Sequence, residues 1–306
     1  RDVGALAPHV PERWNAKKAF QLESLLAADG FWRGVEAVSG VSAGYARTGR
    51  LQPLGDPAAV DLARVREVTA TEIWGDRASW RVCRSPEGQA WMPGSETGLY
   101  VFDDLSARIH PRRACESLAA AIMVRGGEIL TQGGAAGTVV HATGFAGLRD
   151  LSAALGAPVG AGVKGQAVLL RHAAPEGAPQ IFADALHIVP HGDGTVAVGS
   201  TTERSWDSDG AEIAATDALL ERAVAVLPIL HGAAVAGRWA GIRPRAVTRA
   251  PLLGGWPGRP GHFVANGGFK IGFGMAPGVA EVMADLILEG RDRIPEGFRL
   301  EDALSR

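Results

Sequence analysis

The segment Gly267-Gly268-Phe269-Lys270-Ile271-Gly272-Phe273-Gly274-Met275-Ala276-Pro277 concentrates residue types that suit an anion. Its four glycines let a ligand come close to backbone, and Lys270 adds a point charge. Pro277 is expected to open a helix, whose N-terminus carries partial positive charge. A second string, Trp239-Ala-Gly241-Ile-Arg243-Pro244-Arg245, sets a guanidinium beside a proline-stiffened turn. Arginine can grip a carboxylate in a two-pronged fork, while lysine acts as a point charge. Thr138-Val-Val-His-Ala-Thr143-Gly144 reads as a buried strand whose last residues let a flat ligand approach the main chain.

Three further patterns carry less chemistry. Gly160-Ala-Gly162-Val-Lys-Gly165 matches a dinucleotide fingerprint by letter, but that chemistry needs a strand before it and a helix after it. Here Gly165 leads into the strand-like run Gln166 to Leu170, so the string is read as a glycine-rich crossover that touches no phosphate. His187 and His191 stand four apart, a helical metal spacing on a segment that reads as strand and turn, with no third ligand nearby. No G-x-S-x-G elbow supports a hydrolytic serine.

The elements that must position these residues follow from periodicity and punctuation. Helices are expected at Ala16 to Val38, from Asp56-Pro57 to Ala70, Pro111 to Arg125, Ala215 to Val226 and Pro277 to Leu288. Gly44 to Leu54 is read as extended, and Trp74 to Pro93 as irregular. Strands are expected at Leu99 to Phe102, Glu128 to Leu130, Thr138 to Ala142, Val235 to Ala240 and His262 to Ala265. Between residues 166 and 200 short β-rich runs alternate with turns, and His191-Gly-Asp193-Gly194 has hairpin chemistry. The β-α-β character at 110–145 and 235–290, with an antiparallel middle, points to an α/β (α+β overall) chain. A Rossmann-like domain is built from separated segments, with a second domain threaded through it.

The composition is that of an ordinary globular chain. Of 306 residues, 46% are hydrophobic and 21% charged. A net charge of -2, from 31 basic and 33 acidic residues, argues against nucleic acid or an anionic membrane as the main partner. No apolar run reaches the roughly 18 to 20 residues of a membrane span. Cys83 and Cys115 form no C-x-x-C pair and are read as free thiols, with no metal site. The cytoplasm is the expected compartment.

Taken in order, these strings resemble the FAD-dependent oxidoreductases that include D-amino-acid oxidase, glycine oxidase and sarcosine oxidase. Gly4-Ala5-Leu6-Ala7-Pro8 is similar to the family's flavin-adjacent segment. Gly44 to Leu51 resembles a strand of its substrate domain, and His110-Pro-Arg through Gly127 its helix before the adenine-side strand. Val139 to Gly144 is similar to the flavin motif VxAtG, Gly241-Ile-Arg243-Pro244 to GxRP, and Gly268-Phe269-Lys270 to GFK of the sarcosine-oxidase branch. The resemblance implies FAD, held by Gly4, Ala5, Leu6, Ala7, Thr143, Gly144, Gly241, Gly268, Phe269, Lys270, Gly272, Phe273, Gly274 and Met275. It implies that Arg243 and Lys270 converge on the carboxylate of a small amino acid or secondary amine. A hydride then leaves the carbon next to nitrogen for flavin N5, giving an imine. Electrons go on to oxygen or to another acceptor, as in a dehydrogenase. A cofactor-free remnant with a binding or structural role is the alternative. The implied FAD domain comprises 1–25, 106–160 and 236–306, and the substrate domain 26–105 and 161–235. The family opens with a strand, a G-x-G-x-x-G turn and a helix, which the sequence lacks. An open groove is therefore expected beside the strands at Val139 to Ala142 and His262 to Ala265, with weakened flavin binding.

Overall fold

Asn15 decides where the first long helix starts. Its extended backbone lets the side chain accept from the Lys18 N–H, and Gly40 ends the helix in a left-handed turn. This computed structural model describes residues 3–84 and 89–305. In chain order the elements are β1 (Ala5–Leu6), α1 (Ala16–Ser39), β2 (Arg50–Pro53), α2 (Pro57–Trp74), β3 (Trp80–Arg84), β4 (Leu99–Asp103) and β5 (Ala107–Arg108). Then come α3 (Pro111–Val124), β6 (Val139–His141), α4 (Gly144–Leu155), β7 (Gly160–Arg171), β8 (Gln180–Ala183), β9 (Leu186–Pro190) and β10 (Thr195–Gly199). The chain closes with α5 (Ile213–Val226), β11 (Ala234–Ala246), β12 (Leu252–Gly255), β13 (His262–Asn266), α6 (Gly272–Glu289) and α7 (Leu300–Leu304). The α/β class, α+β overall, is the observed one.

An eight-stranded sheet, ordered β11-β7-β10-β9-β8-β2-β4-β3, forms the larger layer. Because side chains alternate across a strand, its registers sort residues onto two faces. Pairings Arg50↔Gln180, Phe182↔His187, Gly199↔His187, Gly199↔Ala167 and Trp239↔Ala167 place these residues on one face. The other face carries Val168, Leu170, Ile181, Ile188, Val196 and Val198, all buried against Leu219 and Ala223 of α5. A smaller sheet, β12-β13-β6, has β13 and β6 parallel. Among the described residues the far edge of β6 has no neighbour, and Val140 there is exposed.

Four expectations are corrected. The Gly160–Gly165 crossover is instead the start of β7: each of these residues is paired with β11, Gly160 with Ala246 through Gly165 with Gly241. Glu128 to Leu130 is not a strand. Ile129 and Leu130 lie exposed, with no ladder partner to hold them extended. The irregular stretch 74–93 contains β3, paired with β4, and its residues 85–88 lie outside the described residues. Helix α6 starts at Gly272, so Pro277 lies inside it and removes the donor for the Phe273 carbonyl. The sequence reading missed α4, α7, β12 and the two-residue ladder of β1 with β5.

Candidate functional site

A cleft of about 170 Å³ opens between the 5–9 segment and the sheet face described above. Its walls are Ala5 to His9, Gln21 of α1, Arg50 of β2, Phe182 of β8, His187 of β9, and Lys270, Ile271 and Gly274 at the head of α6. The 5–9 segment is fixed by backbone. The Ile109 N–H donates to the Gly4 carbonyl at 2.9 Å, and β1 pairs with β5. Gly4 has φ +84°, and a Cβ there would lie 1.9 Å from the Ile109 carbonyl oxygen, so no side chain fits. Gln21, itself buried, accepts from the His9 N–H at 2.8 Å and donates to the Ala7 carbonyl at 3.2 Å.

Two helices begin at the carboxyl ends of the parallel strands β6 and β13, the place where open α/β sheets present ligand sites. Neither α4, after Thr143, nor α6, after Ile271, has a side-chain cap. Their first N–H groups therefore keep their appeal to an acceptor. Asn266 ties the two turns together: its Nδ2 donates to the Gly144 carbonyl at 2.9 Å and its Oδ1 accepts from the Gly267 N–H at 2.7 Å. Only the first turn of α6 lines the cleft.

The two predicted cations reach one short loop. Arg243 Nη2 donates to Ser200 Oγ at 2.7 Å, and Lys270 Nζ donates to Thr202 Oγ1 at 2.9 Å. Arg243 belongs to β11 and is directly opposite Val163, so its diagonal neighbour on the same face is Gly165. A Cβ on Gly165 would stand 1.9 Å from Nη1 and 2.2 Å from Cζ of Arg243. The missing side chain of Gly165 is thus the berth of the guanidinium.

His187 is held neutral. Burial pushes its pKa from 6.5 to about 3, and the charges of Arg50 and Lys270 push the same way. Gln180 Nε2 donates to the carbonyls of Ala107 (2.9 Å) and Leu6 (3.3 Å), so its Oε1 is the end facing His187 Nδ1 at 3.3 Å. An amide oxygen only accepts, which puts the imidazole proton on Nδ1. Between pH 3 and 6.5 the unfolded chain binds a proton at this histidine that the folded chain does not, so stability rises with pH across that window. The melting temperature of His187→Phe is expected to fall less steeply than wild type between pH 6.5 and 4. A slope unchanged by the substitution would show that the folded imidazole titrates normally.

The structure brings Ala5, Leu6, Ala7, Lys270 and Gly274 to the cleft. Gly241 lies in β11 opposite Gly165, and Gly268 bridges Arg245. Phe269, at φ +46°, donates its N–H to the Pro244 carbonyl at 3.0 Å and stacks against Arg245. Gly272 starts α6 with open space where a Cβ would be. Phe273 and Met275 turn into the hydrophobic core. Sequence reading did not find His9, Gln21, Arg50, Phe182, His187, Gly165 or Asn266. Their partners are set by strand register and helix docking between distant segments. For Arg50 the partner is Asp103, directly across the ladder at 2.9 Å.

A cleft against the uncapped head of α6, beside the carboxyl ends of the parallel strands β6 and β13, stands where open α/β sheets bind ligands. The chain belongs to the FAD dependent oxidoreductase family, whose model matches residues 1–286. FAD is the cofactor of that family. The chain is 33% identical over 125 residues to glycine oxidase of Pseudomonas putida, covering 41% of this chain and 34% of that one. It is 33% identical over 142 residues to glycine oxidase of Geobacillus kaustophilus, covering 44% and 38%. The match thus spans about a third of the length of these curated relatives. The fold of the crystal structure of glycine oxidase from Geobacillus kaustophilus superposes with a TM-score of 0.81 at 21% identity, covering 98% of this chain and 87% of that one. No helix among the described residues is long and apolar enough to cross a membrane.

Proposed function

We propose that this protein oxidises a small amino acid or secondary amine with FAD, removing a hydride from the carbon next to nitrogen and leaving an imine. The observation that carries this reading is the meeting of Arg243 and Lys270, from different segments, on the loop Ser200–Thr202. The residues present fit FAD in one respect that is visible on the chain. The head of α6 is uncapped, opens at Gly272 and lines the cleft, and Asn266 at the end of β13 donates to the Gly144 carbonyl at the uncapped head of α4. These turns, with Ala5 to Ala7, would hold the flavin. Bound FAD supplies the hydride acceptor.

The protein's own groups do the rest. Arg243 takes the substrate carboxylate in its fork, and Lys270 adds a second positive charge beside it. A guanidinium has five donors, enough to grip the Ser200–Thr202 loop and a carboxylate together. A substrate that enters as the neutral amine needs no protein base. His187, with its pKa near 3, stays uncharged beside Arg50 and Lys270 and adds no further positive charge there. In this reading 1–25, 106–160 and 236–306 make the flavin side, and 26–105 with 161–235 the substrate side, β11 running from one into the other. Oxygen or another acceptor takes the electrons. The free thiols Cys83 and Cys115 suit a reducing compartment such as the cytoplasm.

The test is anaerobic mixing of the flavin-loaded protein with a panel of small amino acids and N-methyl amines. Loss of oxidised-flavin absorbance is expected with carboxylate-bearing amines. No bleaching by any amine, from protein that retains its flavin, would overturn the reading.

A further inference from the structure

The loop Ser200–Thr202 is held from two sides. Toward the front of the large sheet, Ser200 Oγ accepts from Arg243 and Thr202 Oγ1 accepts from Lys270. Beyond the loop the chain runs antiparallel to β7, with Glu203 opposite Lys164. Lys164 and Glu203 exchange both backbone hydrogen bonds at 2.9 Å, and the Thr201 N–H donates to the Gln166 carbonyl at 3.2 Å. Side chains alternate along a strand, so Lys164 and Gln166 point away from the face on which Gly165 berths the guanidinium. There they meet the side chains of Thr201 and Glu203. The Gln166 N–H donates to Thr201 Oγ1 at 2.8 Å, and Thr201 Oγ1 donates to Glu203. Gln166 Nε2 donates to Glu203 Oε1 at 3.1 Å, while Gln166 Oε1 accepts from the Glu212 N–H at 2.6 Å. Lys164 Nζ pairs with Glu212 and lies 3.7 Å from Glu203 Oε2.

We propose that Lys164, Gln166 and Glu203 are positioning residues. They form a brace behind the sheet that fixes the Ser200–Thr202 loop, and through it the places of Arg243 and Lys270. The inference rests on the carboxylate clamp proposed above. None of the three lines the cleft, so the brace acts on a ligand only through the loop. Lys164 is completely buried and Gln166 is 1% exposed. The next two residues of β7 on that face, Val168 and Leu170, are apolar and belong to the core under α5. Packing alone would be served by another such residue at 164, since well-packed apolar groups replace buried ion pairs at little cost. A lysine sealed from water is costly unless paired, and here its pairing holds one geometry. That geometry matters at the front. A shift of the loop by about 1 Å would stretch the bonds to both Arg243 and Lys270 beyond hydrogen-bond range.

The experiment measures the dissociation constant of the flavin-loaded protein for acetate, a carboxylate that carries no amine and cannot turn over. Titration calorimetry reads binding without activity. Glu203→Ala, which removes the acceptor shared by Thr201 and Gln166, is expected to weaken acetate about fivefold with flavin content unchanged. Lys164→Met should do the same, and Glu203→Ala serves alone if Lys164→Met does not fold. Glu203→Gln, which keeps an acceptor oxygen for Thr201, should restore most of the affinity. With a carboxylate-bearing amine as substrate the loss should appear in KM and spare kcat, and an amine without a carboxylate should show neither change. A lowered melting temperature with acetate affinity unchanged would make the network structural only; that result overturns the brace and leaves the clamp standing. Equal losses for both kinds of amine overturn it too. Acetate affinity that Arg243→Met does not weaken sinks the clamp, and the brace with it.

Discussion

Arg243→Met is expected to lower kcat/KM for a carboxylate-bearing amine by about 10- to 150-fold. That range corresponds to the roughly 1.5 to 3 kcal/mol carried by a hydrogen bond to a charged group. The loss should appear mainly in KM, because a clamp on the carboxylate holds ground state and transition state alike. Arg243→Lys should recover little of it. An ammonium can restore the charge but not the planar fork, and Gly165 leaves a recess shaped for a guanidinium. An amine without a carboxylate supplies the control, since its turnover should respond far less to either substitution. Equal losses for both kinds of amine would place Arg243 in a general structural role through its bond to Ser200.

Much of this site was legible before the fold was known, and the legible part has a common character. Lys270 and Gly274 sit in one continuous string whose glycines and charge are local signals, and Ala5 to Ala7 precede a proline that marks a turn. Arg243 stood out because a proline follows it. The long helices were legible for the same reason, as Asn15, Asp56 and His110 cap α1, α2 and α3 from adjacent positions. Residues whose meaning depends on a distant strand gave no such signal. Gly165 reads as part of a glycine-rich crossover, and only the register against β11 shows that it faces Arg243. His187 reads as a strand residue without a third metal ligand nearby, and only its neighbours Gln180, Arg50 and Lys270 fix it as a neutral imidazole. Helix α6 was placed five residues too late because Pro277 was taken for its first residue. A helix docked against α1 and Leu25 tolerates the lost hydrogen bond, and local punctuation does not report that packing.

The berth at Gly165 leads to the second large effect. Gly165→Ala is expected to raise KM for a carboxylate-bearing amine about as much as Arg243→Met does, without touching any ligand. The new methyl would stand 1.9 Å from Nη1 and 2.0 Å from Nη2 of Arg243, distances no pair of atoms can hold. The guanidinium lies at the end of a flexible chain, so it can swing away at little cost to the fold. Gly165 remains an ordinary strand residue, with no positive φ to lose and its backbone paired to Gly241. The melting temperature should therefore stay close to wild type while the clamp is lost. A double-mutant cycle separates this mechanism from general damage to β7. If the methyl acts only by evicting the guanidinium, Gly165→Ala should add almost nothing in the Arg243→Met background, because the group it displaces is already gone. If instead it distorts the β7–β11 ladder, the two losses should multiply and the melting temperature should fall with them. Flavin content and melting temperature, measured on all four proteins of the cycle, show which account holds.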